Sequence, residues 1–247
     1  AEGLIEVHGR SLRVLREQRN PSLIEWRKWG VPIVVDATGA FNDPNAESAK
    51  GSLRGHLDAG AKIVVNSAPF KSKDKRKLPD DACVLVYGIN HTNFDPARHK
   101  VVSAASCTTT ALAHMMKPLL DTEVTSRILT ASMSTIHAAT NSQGVLDSVP
   151  GAGATDLRKN RAALNNIILT ATGAARALEE VLPAIRHIGF LADSVRVPTT
   201  TVSLVNLNLT FHSSVGPDGE PTVTRAVIND IYRRAAAEAH KDLLVYT

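Results

Sequence analysis

The chain has 247 residues, 43% hydrophobic and 21% charged, with 28 Lys plus Arg against 24 Asp plus Glu and a net charge of +4. That much apolar chain can bury the core of one large domain or two ordinary ones, and so small a charge excess argues against a polyanion partner and in favour of small anionic metabolites. No stretch approaches the roughly 18 consecutive apolar residues of a membrane span, and the N-terminus lacks a basic-then-apolar signal layout, so a cytoplasmic protein without a membrane partner is expected.

Four short β-branched runs come first: IVVDATG at 33–39, KIVVNSAP at 62–69, CVLVYGI at 83–89 and KVVSAAS at 100–106. Their spacing predicts strands of a buried parallel sheet. Between the first two, ESAKGSLRGHLDAGAK predicts a helix ending at Gly60, which makes a βαβ crossover. The basic run KSKDKRK has no interleaved aromatics for base stacking, so a solvated loop is expected there and no nucleic-acid partner. From Ser106 the texture changes. CTTTALAHMMKPLL predicts a helix that Cys107 opens, with Ser106 as N-cap and Pro118 near its far end. Strand-like runs at 128–139 and 194–211 then alternate with helical segments at 173–182 and 223–244, and SSVGPDGEPT at 213–222 is a turn-rich connector. The first half is thus a piece of an α/β layer domain, and the second an α+β arrangement with a mixed or antiparallel sheet.

The two cysteines sit in different surroundings: Cys83 in the apolar run CVLVYG, Cys107 in the polar run SCTTT. Neither reads as half of a disulfide framework. A Cys at a helix start faces backbone N–H groups and the positive end of the helix dipole, which favour the nucleophilic thiolate; helix N-termini or a nearby His⁺ lower thiol pKa values to roughly 3.5 to 7.5. The competing reading is a buried apolar Cys. His137 ends a strand-like run 30 residues later, before the polar loop AATNSQG, where a side chain can reach a cleft yet be rigidly held. Alone, it could equally be one of nine surface or core histidines. Arg196 could be a strand arginine in a surface ion pair, and Thr172 before Gly-Ala-Ala could simply cap a helix. A helix N-terminus also binds anions, so capping and phosphate binding are compatible at Thr172 and Gly173. No metal site is expected.

SAASCTTTALAH resembles the active-site signature of the phosphorylating glyceraldehyde-3-phosphate dehydrogenase family. IHAATNSQGVLDSV is similar to its catalytic-histidine segment, LRKNRAALNNIILTATGAARAL to the following loop and helix, and VRVPTTTVSLVNL to the strand bearing a phosphate-binding arginine. Upstream, NPSLIEWRKWGVPIVVDATGAF, HLDAGAKIVVNSAP and VLVYGINH continue the pattern in order, so the resemblance covers nearly the whole chain. It implies a partial Rossmann-type NAD-binding domain over 1–106, then a partial catalytic domain with a mixed or antiparallel sheet and flanking helices over 107–247.

The resemblance implies that Cys107 is the nucleophile and His137 its base. Ser106, Thr108, Thr172 and Gly173 would hold the attacking inorganic phosphate, Thr140 and Arg196 the phosphate of the aldehyde substrate, and Thr38, Gly39, Phe41 and Ser67 the cofactor. It further implies NAD, with NADP left open, glyceraldehyde 3-phosphate as substrate, a place in glycolysis or gluconeogenesis, and a homotetramer. Erythrose 4-phosphate is the alternative substrate. A non-catalytic binding module and a hydrolase built on Cys107 and His137 are rivals from other classes. The family's Gly-rich fingerprint is not in this sequence, so an internal fragment is expected. Thr110 stands where the family has Asn, His114 where it has Pro, Ser142 where an Asp is usual and Lys159 where an Arg is usual.

Overall fold

The structure, a computed structural model, describes residues 3–16, 18–47, 49, 51–72, 77–140 and 142–247, with the side chain of Lys159 left out. Much of the basic run KSKDKRK (73–76) therefore lies outside the described residues. The chain forms two compact units, Ala1–Ser106 and Cys107–Thr247.

The first unit opens with an antiparallel hairpin of β1 (Gly3–Val7) and β2 (Arg10–Val14), which the sequence reading did not anticipate. Its two-residue turn, His8 and Gly9, has φ of 48° and 74°, the left-handed pair that matches strand twist in a tight hairpin. The four β-branched runs form β3 (Ile33–Asp36), β4 (Ile63–Asn66), β5 (Ala82–Val84) and β6 (Val101–Ser103), in the order β3-β4-β6-β5 with every neighbouring pair parallel. Helix α1 (Leu53–Asp58) makes the β3 to β4 crossover, and Leu53, Val64, Ala82 and Val101 form a core packed by Phe41, Leu57 and Phe70.

The crossover helix is only six residues long, because Gly51 at φ 86° and Ser52 in an extended conformation precede it; the Ser52 hydroxyl accepts from Gly55 N at 3.3 Å. Strand β5 stops at Val84, where the Asn90 side chain takes over its backbone partners, donating to Val84 O at 2.9 Å and accepting from Val86 N at 2.7 Å. The parallel sheet is not buried on both faces: Ile33 and Val35 of β3 are 55% and 64% exposed. A single described α-helix in this unit covers one face alone.

The second unit is a mixed sheet of β7 (Ile128–Ala138), β8 (Ile168–Thr170), β9 (Gly189–Val197) and β10 (Ser203–Phe211), ordered β10-β7-β9-β8. Strand β7 pairs antiparallel with β10 and parallel with β9, and β8 pairs antiparallel with β9. Helices α2 (Cys107–Leu120), α3 (Ala174–Val181) and α4 (Arg225–Ala237) complete it, with α2 in contact with α3, α4 and β10. Ile128, Ala131, Met133, Thr135 and His137 of β7 are buried with Leu112, Ala113, Met116 and Leu119 of α2. The period of two from Ala131 to His137 on β7 and the helical spacing on α2 each give one buried face, and Ile128 falls out of phase where the pairing with β10 shifts register. The stretch at 194–211 is two strands rather than one, because the chain turns over 198–202, ending at Val202 with φ 65°. Strand β8 was not anticipated, and the predicted 223–244 helix stops at Ala237, where Glu238 leaves helical geometry.

Candidate functional site

Cys107 is the first residue of α2, and its side chain is exposed. The next residue, Thr108, is buried and turns its hydroxyl into the unit: Thr108 Oγ1 lies 4.0 Å from Cys107 Sγ and 3.3 Å from His137 Nε2. The opposite imidazole nitrogen, Nδ1, is 2.6 Å from Ser203 Oγ. Sulfur, hydroxyl, imidazole and hydroxyl thus form one line from the start of α2 to the start of β10.

Strand register produces this line. His137 sits next to the end of the central strand β7, directly opposite Ser203 on β10 and Arg196 on β9. Residues directly paired across strands project to the same face, so the three side chains form a row. Arg196 Nη1 donates to Ala138 O at 3.1 Å, while its Nε is buried with no hydrogen-bond partner among the described residues. Burial, and secondarily the Arg196 charge, hold His137 below the usual histidine range. At neutral pH the imidazole is therefore uncharged and can accept a proton.

The remaining predicted anion ligands make local hydrogen bonds. Thr140, in the loop after β7, donates from its backbone N to Gln143 Oε1 at 3.1 Å, and its hydroxyl lies 3.0 Å from Ser142 Oγ. Gly173, not Thr172, is the N-cap residue of α3; Thr172 acts from one position earlier, its Oγ1 accepting from Ala174 N at 3.2 Å. Ser106 is half-buried immediately before Cys107.

In the first unit, Thr38 and Gly39 follow β3 and Ser67 follows β4, all exposed at the carboxyl ends of adjacent parallel strands. That is where open parallel sheets bind ligands. Gly39 has φ 69° and open space where a Cβ would project, so its backbone can be approached closely. The half-buried Phe41 packs against the Leu53 core, and a Cβ on Gly51 would come within 2.9 Å of its ring. Beneath this loop lies a buried chain the sequence did not announce. Asp36 accepts from Thr38 N at 2.9 Å and Thr38 Oγ1 at 2.6 Å, and lies 3.3 Å from His56 Nε2. Trp26 Nε1 donates to His56 Nδ1 at 3.0 Å, which leaves the imidazole proton on Nε2, facing Asp36.

Among the described residues no three His, Cys, Asp or Glu side chains gather to hold a metal, and no helix is long and apolar enough to cross a membrane.

Residues 106–247 match the family model described as glyceraldehyde 3-phosphate dehydrogenase, C-terminal domain. Across its full length the chain is 38% identical to glyceraldehyde-3-phosphate dehydrogenase 2 of Bacillus subtilis (strain 168), covering 63% of that protein. It is also 38% identical to glyceraldehyde-3-phosphate dehydrogenase of Streptomyces coelicolor, again over 100% of the chain and 64% of the relative. Identity reaches 40% with the enzyme of that name from Kitasatospora aureofaciens, over 99% of the chain and 64% of the relative. The chain therefore spans somewhat less than two thirds of the length of these relatives.

Proposed function

The chain belongs to the glyceraldehyde-3-phosphate dehydrogenase family, and from that premise we propose that it carries the nucleophile, base and anion ligands of an NAD-dependent phosphorylating dehydrogenase acting on glyceraldehyde 3-phosphate. One observation carries the reading: the Thr108 hydroxyl lies 4.0 Å from the Cys107 sulfur and 3.3 Å from Nε2 of the neutral His137 imidazole, so a nucleophile and a base are linked through one hydroxyl.

In this reading the Cys107 sulfur attacks the aldehyde carbon while its proton passes toward His137, and the resulting imidazolium stabilises the developing oxyanion. NAD, when bound, supplies the acceptor for the hydride that leaves that carbon. In the first unit, as a partial NAD-binding domain over 1–106, the exposed groups of Thr38, Gly39 and Ser67, with Phe41 bracing the loop, would hold it. The resulting acyl thioester on Cys107 is attacked by inorganic phosphate held by Ser106, Thr108, Thr172 and Gly173. The N-terminus of α3 offers amide groups there. Thr140 and Arg196 hold the phosphate already on the substrate; the orphaned Arg196 Nε has a donor to spare, and a guanidinium matches phosphate oxygens. Residues 107–247 serve as the catalytic domain, and the same reading includes a homotetramer in the cytoplasm.

The test uses a polypeptide extending this chain to the length of its relatives. Given glyceraldehyde 3-phosphate, phosphate and NAD, it should form NADH in a phosphate-dependent manner, and Cys107→Ser should abolish this. No NADH while Cys107 is shown to be reduced would sink the proposal.

A further inference from the structure

The imidazole of His137 is held from both sides, and the family reading uses only one of them. We infer that Ser203 is a positioning residue for His137: its hydroxyl oxygen accepts the Nδ1 proton, which leaves the Nε2 lone pair facing Thr108 and Cys107. The inference rests on the reading of His137 as the base of Cys107.

A neutral imidazole carries one N–H, so the 2.6 Å contact between Ser203 Oγ and Nδ1 has two directions. If Ser203 donated, the proton would sit on Nε2 and the base would have no lone pair toward the thiol. If Ser203 accepts, the line runs from Cys107 S–H to Thr108 Oγ1, from Thr108 O–H to Nε2, and from Nδ1–H to Ser203. Proton transfer then breaks the S–H bond and forms an O–H bond on Thr108, while the former Thr108 O–H bond breaks and an N–H bond forms at Nε2. The products are a thiolate and an imidazolium, with the Thr108 hydroxyl turned toward sulfur. An imidazolium donates from both nitrogens, so Ser203 can only accept in that state. The accepting direction is the one compatible with both the resting and the transferred state.

The backbone supports the same assignment. Ser203 is the first residue of β10 and lies directly opposite His137 in the antiparallel register. Val202 immediately before it has φ 65°, an unfavourable conformation for a β-branched residue, and its carbonyl accepts from Ala138 N at 3.2 Å. Strain of this kind persists where the surrounding structure over-determines it and clusters at functional sites. The turn is thereby tied to the end of β7, next to His137. The groups facing the imidazole are the Arg196 cation from β9, Thr108 from α2, with the Cys107 sulfur beyond it, and Ser203 from β10. A carboxylate in the place of Ser203 would favour a standing imidazolium. A hydroxyl fixes the tautomer and leaves the ring neutral until the thiol delivers its proton.

The experiment uses the 247-residue chain with 15N-labelled histidine, comparing wild type, Ser203→Ala, Ser203→Thr and His137→Asn. In wild type at pH 7.5, His137 should show a protonated Nδ1 and an unprotonated Nε2. Ser203→Ala should move it toward the Nε2-protonated form, and Ser203→Thr, which keeps the hydroxyl, should restore the wild-type pattern. Iodoacetamide alkylation of Cys107 at pH 7 should slow roughly three- to tenfold in Ser203→Ala as the competent tautomer is depleted. An unchanged tautomer in Ser203→Ala, or equal slowing in the Ala and Thr variants, overturns the assignment. His137→Asn separates the two levels. If it leaves Cys107 alkylation unchanged, the base reading fails as well; if it slows alkylation while Ser203→Ala does not, only the role of Ser203 falls.

Discussion

Treated with iodoacetamide at pH 7, Cys83 and Cys107 are expected to react at very different rates, and the size of the ratio carries the information. Cys83 is half-buried in β5, and burial pushes its thiol up to about 11. At pH 7 only about one part in 10⁴ of such a thiol is thiolate, against about 3% for an ordinary free cysteine near 8.5. On thiolate population alone an ordinary cysteine would thus outpace Cys83 roughly 300-fold. Any further gain must come from His137 taking the Cys107 proton as the sulfur attacks. Wild type should exceed a ratio of about 3,000, and His137→Asn, which removes the proton acceptor but keeps a polar side chain, should bring it back toward a few hundred. The assay is site-resolved mass spectrometry of quenched time points between pH 6 and 9. A wild-type ratio near 300 that His137→Asn leaves unchanged would refute the pairing and mark shared ancestry without retained chemistry.

Folding stability should fall as pH drops through the mid-sixes, because His56, His137 and His240 are all held below the usual histidine range, chiefly by burial. Each favours the neutral ring when folded, so its contribution is complete above the unfolded value near 6.5 and is lost below it, at up to about 1.4 kcal/mol per pH unit per group. Glu180, whose carboxyl burial pushes up, opposes this trend from the acid side; urea melts at pH 7.5 and 5.5 measure the net effect. Leu112→Ala empties a fully buried site on α2 and should cost about 2–5 kcal/mol in the same melts, and a loss below 1 kcal/mol would mean this helix is not packed as described. Arg196→Lys keeps the charge but loses the fork; phosphate affinity by calorimetry should weaken roughly tenfold, and an unchanged affinity would remove Arg196 from the anion site.

What the sequence made legible was local. Cys107 at a change of texture and His137 at the end of an alternating run are features of a few adjacent residues, and both stand where that reading placed them. The parallel strands were equally visible, since β-branched runs at helix-length intervals have few other solutions. Ser203 was invisible, because its role depends on register after a turn, and SVRVPTTTVSLV reads as one β-branched run with Pro198 as its sole interruption. The Trp26, His56 and Asp36 chain was hidden for a similar reason: its members are brought together by the sheet and crossover rather than by spacing. The β1–β2 hairpin escaped notice because its turn uses His8 in a conformation usually left to Asn, Asp or Gly.

The indole of Trp26, hydrogen-bonded to His56 beneath the Thr38 loop, also makes the molecule a selective optical reporter. Both tryptophans of the chain, Trp26 and Trp29, lie within Ala1–Ser106, and Cys107–Thr247 contains none. Emission excited at the red edge therefore follows the first unit alone, while far-ultraviolet circular dichroism is weighted toward the longer helices α2 and α4 of the second. Superimposable melting curves from the two signals would show the units unfolding as one cooperative body, and separated curves would give each unit its own stability without cutting the chain.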